Sequence, residues 1–306
     1  MTVYNNLMEQ IDNAGLLFNV KEVNLYAEPN DLALHGQEGA RLIEGKKALV
    51  NCATDKVMSV VSRRYKVVTN EEIFNGFCKA IETSGIDAAD ATVNVRQTPT
   101  GSRAMVDFIF PNESIVVGDS NRSDDSSTAL QFCALNSFDG STRYITKAGG
   151  LRMKCLNGQI LGSIVGAYSS THTQNLDVEA GAARVVHMVQ EFQQAKEYWT
   201  QMMRTPCGIT EAERVFVQFL GMKDFDWQNR KNSRLERCLE LWHEYANDLG
   251  CNAYAVYNVL THYVSHQSKQ YKNPVKTMIS QRQRVEKALD KMPVFSSSKD
   301  SMRMAA

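Results

Sequence analysis

Cys155, Asn157 and His172 are the residue types of a thiol nucleophile, an orienting amide and a base. A thiolate forms at neutral pH only when a base or cation beside it lowers its pKa. Cys155 also stands in an apolar run, where a free thiol behaves as a small hydrophobe of the core. The expectation is therefore a structural Cys155, with His172 hydrogen-bonded inside a loop and the Cys155–His172 pair as the enzymatic alternative. His262 and His266 share a face if their segment is helical, but two imidazoles fall short of a zinc ligand set and no H-E-x-x-H is present. Asp139-Gly140, with Asp124 and Asp125, could offer carboxylates to a metal. Asp-Gly is first of all the pair that a tight hairpin turn demands. No metal or other cofactor is expected, and no G-x-x-x-x-G-K-[ST] loop occurs.

Basic and aromatic side chains form the other chemistry. Arg63, Arg64, Tyr65 and Lys66 are consecutive, and Arg143-Tyr144 and Arg152 with Lys154 repeat the mixture. Cations follow a phosphate backbone and aromatic faces stack on exposed bases without reading sequence. These eight residues are the candidate single-stranded-DNA groove. Further basic stripes fall at Arg230, Lys231, Arg234 and Arg237, and again between Lys269 and Lys291. The competing explanation for every such stripe is a solvated helix face.

Charge and composition limit the partners. The 306 residues carry 34 Lys+Arg against 34 Asp+Glu, which disfavours a broad polyanion binder. The balance is uneven along the chain: residues 1–150 hold 14 basic and 19 acidic side chains, residues 151–306 hold 20 and 15. Seven cysteines at irregular spacing, with no C-x-x-C, suit a reduced and cytoplasmic chain. Residues 1–17 lack a basic, then apolar, leader pattern, and no run is long and apolar enough to span a bilayer. No membrane partner is expected.

The elements that must position these residues change character midway. Residues 47–53 and 56–62 read as strands joined by a turn at 53–55. Residues 64–68 read as a short strand. Thr69 and Glu72 spell a capping box before a helix whose apolar face is Ile73, Phe74, Phe77, Cys78 and Ile81, ended by Gly85. Strands resume at 91–97, 102–110, 128–138, 141–147 and 151–156, with 119–127 (DSNRSDDSS) as a flexible polar insertion. From residue 175 the period becomes helical, with helices near 175–200, 209–221, 230–249, 253–267 and 276–291. The expected fold is α+β: a mainly antiparallel sheet with a packed helix, followed by a helical C-terminal region. The expected units are 1–175, 176–291 and a flexible tail, 292–306.

Four stretches carry a family resemblance: SRRYKVVTNEEIF at 62–74, NSFDGSTRY at 136–144, LRMKCLNG at 151–158 and THTQN at 171–175. In order and spacing they resemble the phage/plasmid-like family called domain of unknown function 932, over roughly residues 15–205. The chain departs from that family's pattern at Gly158-Gln159, where a threonine-leucine step is usual, and at Thr171, where a basic residue often stands. The resemblance implies a phage or plasmid context and no known activity. The strand-helix-strand layout with a basic helical annex also looks like phage single-strand annealing proteins of the Rad52 and Red-beta kind. The leading expectation is a non-enzymatic, homo-oligomeric protein that binds and anneals single-stranded DNA. The alternatives are a Cys155–His172 enzyme acting on a host component, or an assembly protein whose helical annex meets a partner through Trp199, Trp227 and Trp242.

Overall fold

Strand-forming runs at 92–97, 103–118 and 123–137 make the centre of the molecule a sheet with two differently covered faces. The computed structural model describes residues 2–28, 39–119, 123–160, 168–173, 175–222, 232–267 and 274–295. In chain order the elements are α1 (Val3–Asn13), β1 (Val20–Val23), β2 (Tyr26–Ala27), β3 (Arg41–Leu42), β4 (Lys46–Asn51), β5 (Lys56–Ser62) and α2 (Asn70–Thr83). Next come β6 (Thr92–Gln97), β7 (Arg103–Gly118), β8 (Ser123–Ser137), β9 (Tyr144–Arg152), β10 (Asn157–Ile160) and β11 (Tyr168–Ser170). The helices α3 (Val178–Arg204), α4 (Ile209–Leu220), α5 (Ser233–Leu249) and α6 (Ala253–His262) follow, then a π turn (Tyr263–Gln267) and α7 (Pro274–Lys291). The expected α+β class and helical C-terminal region are what the chain adopts.

The main sheet is antiparallel, in the order β10-β9-β8-β7-β6, and β11 pairs with β9. A smaller sheet has the order β1-β4-β5. The long β7–β8 ladder places Phe108 opposite Phe132 and Asp107 opposite Cys133. Those two rows point to opposite faces, because side chains alternate along a strand. On the inner face Phe77 of α2 packs on Phe108 and Phe132, with ring centroids 4.7 Å and 5.7 Å apart. The capping box at Thr69 and Glu72 starts α2 as expected, and its predicted apolar stripe is buried. The free edge of β6 is covered by α1, whose Gln10 accepts from Val93 N and donates to Ala91 O. That removes donors and acceptors that would otherwise template further strands.

α3 lies close on β9 because two glycines leave room. A side chain at Gly150 would put its Cβ 2.4 Å from Thr128 Cγ2 and 2.9 Å from Trp199 Cη2. One at Gly181 would stand 2.8 Å from the Tyr144 ring. Trp199 and Trp242 are buried in the core, so neither presents itself to a partner. Trp227 lies outside the described residues.

Several expectations need correction. Residues 64–68 form a turn and an irregular stretch, because their donors go to Ser62 and His172 and not to a ladder. β8 begins at Ser123, and Asp124 is 1% exposed, so the polar 119–127 stretch is partly sheet. The strand expected at 151–156 stops at Arg152 and turns through Leu156, which takes a left-handed φ of 54°. Of the expected tail, 292–306, residues 296–306 lie outside the described residues, while Val294 and Phe295 are buried in the same apolar cluster as Leu7 on α1. That cluster runs through sheet and helices alike, so one core spans the change of secondary structure near residue 175. Among the described residues no helix is long and apolar enough to cross a membrane.

Gly150→Ala is expected to lower stability by about 1–3 kcal/mol, the usual cost of overpacking, because both obstructing groups are buried. Denaturant unfolding measures it; an unchanged midpoint would mean that α3 and β9 are free to separate.

Candidate nucleic-acid interface

The eight candidate groove residues separate into two groups at opposite ends of β9. From Tyr144 to Arg152 the strand extends ~26 Å, at roughly 3.3 Å per residue. At the Tyr144 end, the irregular 63–66 stretch is folded onto the 137–144 hairpin. The Tyr65 hydroxyl donates to Ser137 O at 2.6 Å, and its ring lies over Gly140. Gly140 supplies the turn with a φ of 68°, and Asp139 accepts from Ser141 N at 2.9 Å. Arg63, Arg64, Lys66 and Arg143 are exposed on these two segments. None of the four forms an ion pair among the described residues. The Asp139 carboxylate of the hairpin is taken by Arg103, whose Nε lies 2.6 Å away. Arg63 donates to Asn24 Oδ1 and Lys66 to Leu176 O, which holds both stems while leaving their charge uncompensated.

The two aromatic candidates are not free to stack on bases. Tyr144 is fully buried beneath α3. Tyr65 is stacked on His172, with centroids 5.0 Å apart and planes 16° from parallel.

At the far end of β9, Arg152 is 1% exposed and forms no part of a groove. Its Nε and Nη2 fork onto the two oxygens of Asp124 at 2.5 Å and 2.7 Å, and Nη2 also reaches Asp248 at 2.9 Å. Tyr254 adds a hydroxyl 3.4 Å from Asp124. Burial opposes the Arg152 charge, but hydrogen bonding and attraction from Asp124 more than reverse that and raise its pKa. Lys154 pairs with the other oxygen of Asp248. Both cations are thus committed to carboxylates, and Asp124 serves as the counter-ion of Arg152.

Cys155 and His172 are not brought together. Cys155 lies in the turn after β9, 3.4 Å from Arg152 Nη1. His172 follows β11, which pairs with the Tyr144 end of β9. His172 is 7% exposed, and among the described residues neither ring nitrogen has a hydrogen-bond partner in ordinary geometry, so the loop hydrogen bond expected of it is not seen there. Burial holds its pKa below the usual imidazole value, so the ring is neutral at pH 7. His262 accepts or donates to the Tyr245 hydroxyl at 2.9 Å, and His266 Nε2 lies 2.9 Å from Cys155 O. Burial, then the neighbouring His266 and Arg237, depress His262 to about 4. Among the described residues no three His, Cys, Asp or Glu side chains gather as a metal set. Asn157's side chain, Arg230, Lys231, Lys269 and Lys272 lie outside what is described, whereas Arg234 and Arg237 sit on α5.

Sequence reasoning missed the polar row on the outer face of the sheet. Asn94, Asp107, Cys133 and Lys147 are in register across β6, β7, β8 and β9. Asp107, 1% exposed, accepts from Arg96 on one oxygen and from Arg282 of α7 at 3.3 Å on the other. One turn further along α7, Glu286 pairs with Lys147. Burial alone would push the Asp107 carboxyl up, but Arg282 and then Arg96 outweigh it and hold it low. Burial, with Asp107 adding to it, pushes the Cys133 thiol up to about 12. The visible signal was one acid inside an otherwise apolar strand, RAMVDFIF at 103–110. Its partners, 11 residues before it and 175 after, could not be inferred from spacing.

Two outcomes follow. Arg152→Met is expected to destabilise the protein by about 3–5 kcal/mol, since it strands a buried Asp124; chemical denaturation measures the change. Because Asp107, Asp139 and Asp248 have depressed folded pKa values, their contribution is complete above the unfolded carboxyl value near 3.9. It is lost as pH falls through the folded values. Thermal melts should therefore hold steady down to about pH 4–5 and collapse below about pH 4. Asp107→Asn should lower the neutral-pH melt and flatten part of that acid dependence.

Comparison with known proteins finds no curated protein and no solved structure that matches. A family model does match, described as domain of unknown function (DUF932), over residues 57–291. The match takes in β5 through α7, reaching well beyond the expected limit near residue 205 and including every helix that seats Arg152 and Asp107. It covers far more than half of the chain, and on that ground the chain belongs to the DUF932 family.

Proposed function

We propose that the protein binds single-stranded nucleic acid through its phosphates at the 137–144 hairpin, as a strand-holding or annealing protein of a phage or plasmid. One observation supports this reading: Arg63, Arg64, Lys66 and Arg143 stand exposed on two segments locked together by Tyr65, without ion-pair partners among the described residues. Uncompensated cations in one place attract a polyanion, and phosphate contacts carry no sequence preference. Tyr65 and Tyr144 are occupied within the fold, so the strand is held by charge and its bases stay available for a complementary strand. Arg152 and Lys154 have no part in it. A useful length of strand exceeds one patch, so copies arranged along the strand belong to the proposal. The zero net charge of the whole chain is compatible with a patch this local.

The test is fluorescence anisotropy of a labelled oligothymidylate over a salt series. Four phosphate contacts predict a log–log slope of about −3, at roughly 0.7 per phosphate on single strands. Arg64→Glu with Arg143→Glu should weaken binding at least ~10-fold and flatten the slope by about 1.4. No binding at low salt, affinity indifferent to salt, or a double variant equal to the parent would each overturn the proposal.

A further inference from the structure

The outer face of the sheet carries a second feature, which shares no residue with the hairpin patch. Between that face, β10, the π turn and α7 lies an open cavity of about 530 Å³. This is within the range of small-molecule sites, roughly 300–1,000 Å³. Its polar floor is Arg96, Asp107 and Arg282; its apolar wall includes Ile109, Pro111 and Leu151, and the exposed Met153 and Leu156 stand at its rim.

Two properties of this floor call for an anion. The first is charge balance. Two guanidiniums share a single carboxylate, and each spends only one nitrogen on it. Lys147 and Glu286 already neutralise one another. One positive charge is left over in a half-enclosed site, where electrostatic attraction is stronger than in bulk water. The second is an open cradle at Gly158. A Cβ there would stand 3.4 Å from Gln131 Oε1, 3.5 Å from Arg282 Nη2 and 3.7 Å from Ser265 Oγ. Gln131 Oε1 only accepts, so the donors around the cradle are Arg282 Nη2 and the hydroxyl of Ser265, whose oxygen already accepts from Gly158 N. Arg282 Nη1 is engaged by Asp107 and Cys133, which fixes the guanidinium plane and aims Nη2 at the cradle. Gly158 N is tied to Ser265 Oγ at 3.0 Å, so the cradle is held from both sides. A planar guanidinium with a free edge is the group that recognises phosphate oxygens in pairs.

We propose that this cavity binds a phosphate monoester of nucleotide size, its phosphate on Arg282 Nη2 and the Ser265 hydroxyl beside Gly158, its body against the Ile109–Leu151 wall. Arg96 supplies the surplus charge from the far side of Asp107. Asp107 orients both arginines and does not itself contact the ligand.

The experiment is isothermal titration of the full chain with the four nucleoside 5′-monophosphates, with inorganic phosphate and adenosine as the separate halves. At least one monophosphate is expected to bind more tightly than either half. Arg96→Gln keeps the Asp107–Arg282 pair and should weaken that binding at least ~10-fold, the scale of one unit charge removed at short range from a half-enclosed site. Gly158→Ala adds only a methyl group at ordinary contact distances; it should fold with an unchanged melt and lose most of the binding. Arg64→Glu with Arg143→Glu should leave it unchanged, which separates this site from the hairpin patch. The proposal is overturned if no monophosphate binds at millimolar concentration, if inorganic phosphate alone binds as tightly, or if Gly158→Ala binds like the parent.

Discussion

A guanidinium buried to 1% exposure must keep its charge neutralised within the protein, and Arg152 obliges three distant stretches to meet for that purpose. Asp124 comes from the start of β8, Asp248 from the end of α5 and Tyr254 from the first turn of α6. Removing Asp124 leaves the Arg152 charge in a medium that solvates it poorly. The helical region is therefore attached to the sheet by an electrostatic requirement as well as by apolar contact. This is why residues that read as a polar insertion are instead the first residues of a core strand.

The opposite face is fastened by the same kind of bond with a different result. α7 lays Arg282 and Glu286, four residues apart and hence on one side of the helix, onto Asp107 and Lys147. On the inner face α3 approaches until only glycine fits at Gly150, and aromatic rings fill the interface. On the outer face the helix stands off on charged side chains, and a cavity remains beside it. One sheet thus has a sealed apolar side and an open polar side. The difference follows from alternation: Phe108 and Phe132 face inwards, Asp107 and Cys133 outwards.

The 137–144 hairpin belongs to neither fastening. Its carboxylate is satisfied by Arg103 and its backbone by Ser137 and Tyr65, so Arg143 and the neighbouring 63–66 cations are left over. Arg152 and Arg282 are paired and sunk, whereas Arg63, Arg64, Lys66 and Arg143 stand exposed beside the hairpin without ion pairs among the described residues. The family match over residues 57–291 contains both the hairpin and the outer-face cavity.

Local patterns were legible in the sequence because local physics produces them. The Thr69–Glu72 capping box, the Ile73–Ile81 stripe and the helical periods after residue 175 depend on neighbours within one or two turns. So does the Asp139-Gly140 turn, whose bonds are made within a few residues. The fate of each charged side chain was not legible. Arg143 and Arg152 belong to the same sequence pattern of cation beside aromatic or lysine, yet one is exposed and the other enclosed. Burial depends on which carboxylate arrives from 28 or 96 residues away, and spacing along the chain holds no record of that. Cys155 and His172 were likewise seventeen residues apart in sequence but are placed by β9 and β11 at opposite ends of a strand. Neighbour-to-neighbour physics suffices for the α+β order of elements and their caps; which charges fasten the fold and which stay exposed depends on contacts across the whole chain, because those contacts set each charge's environment.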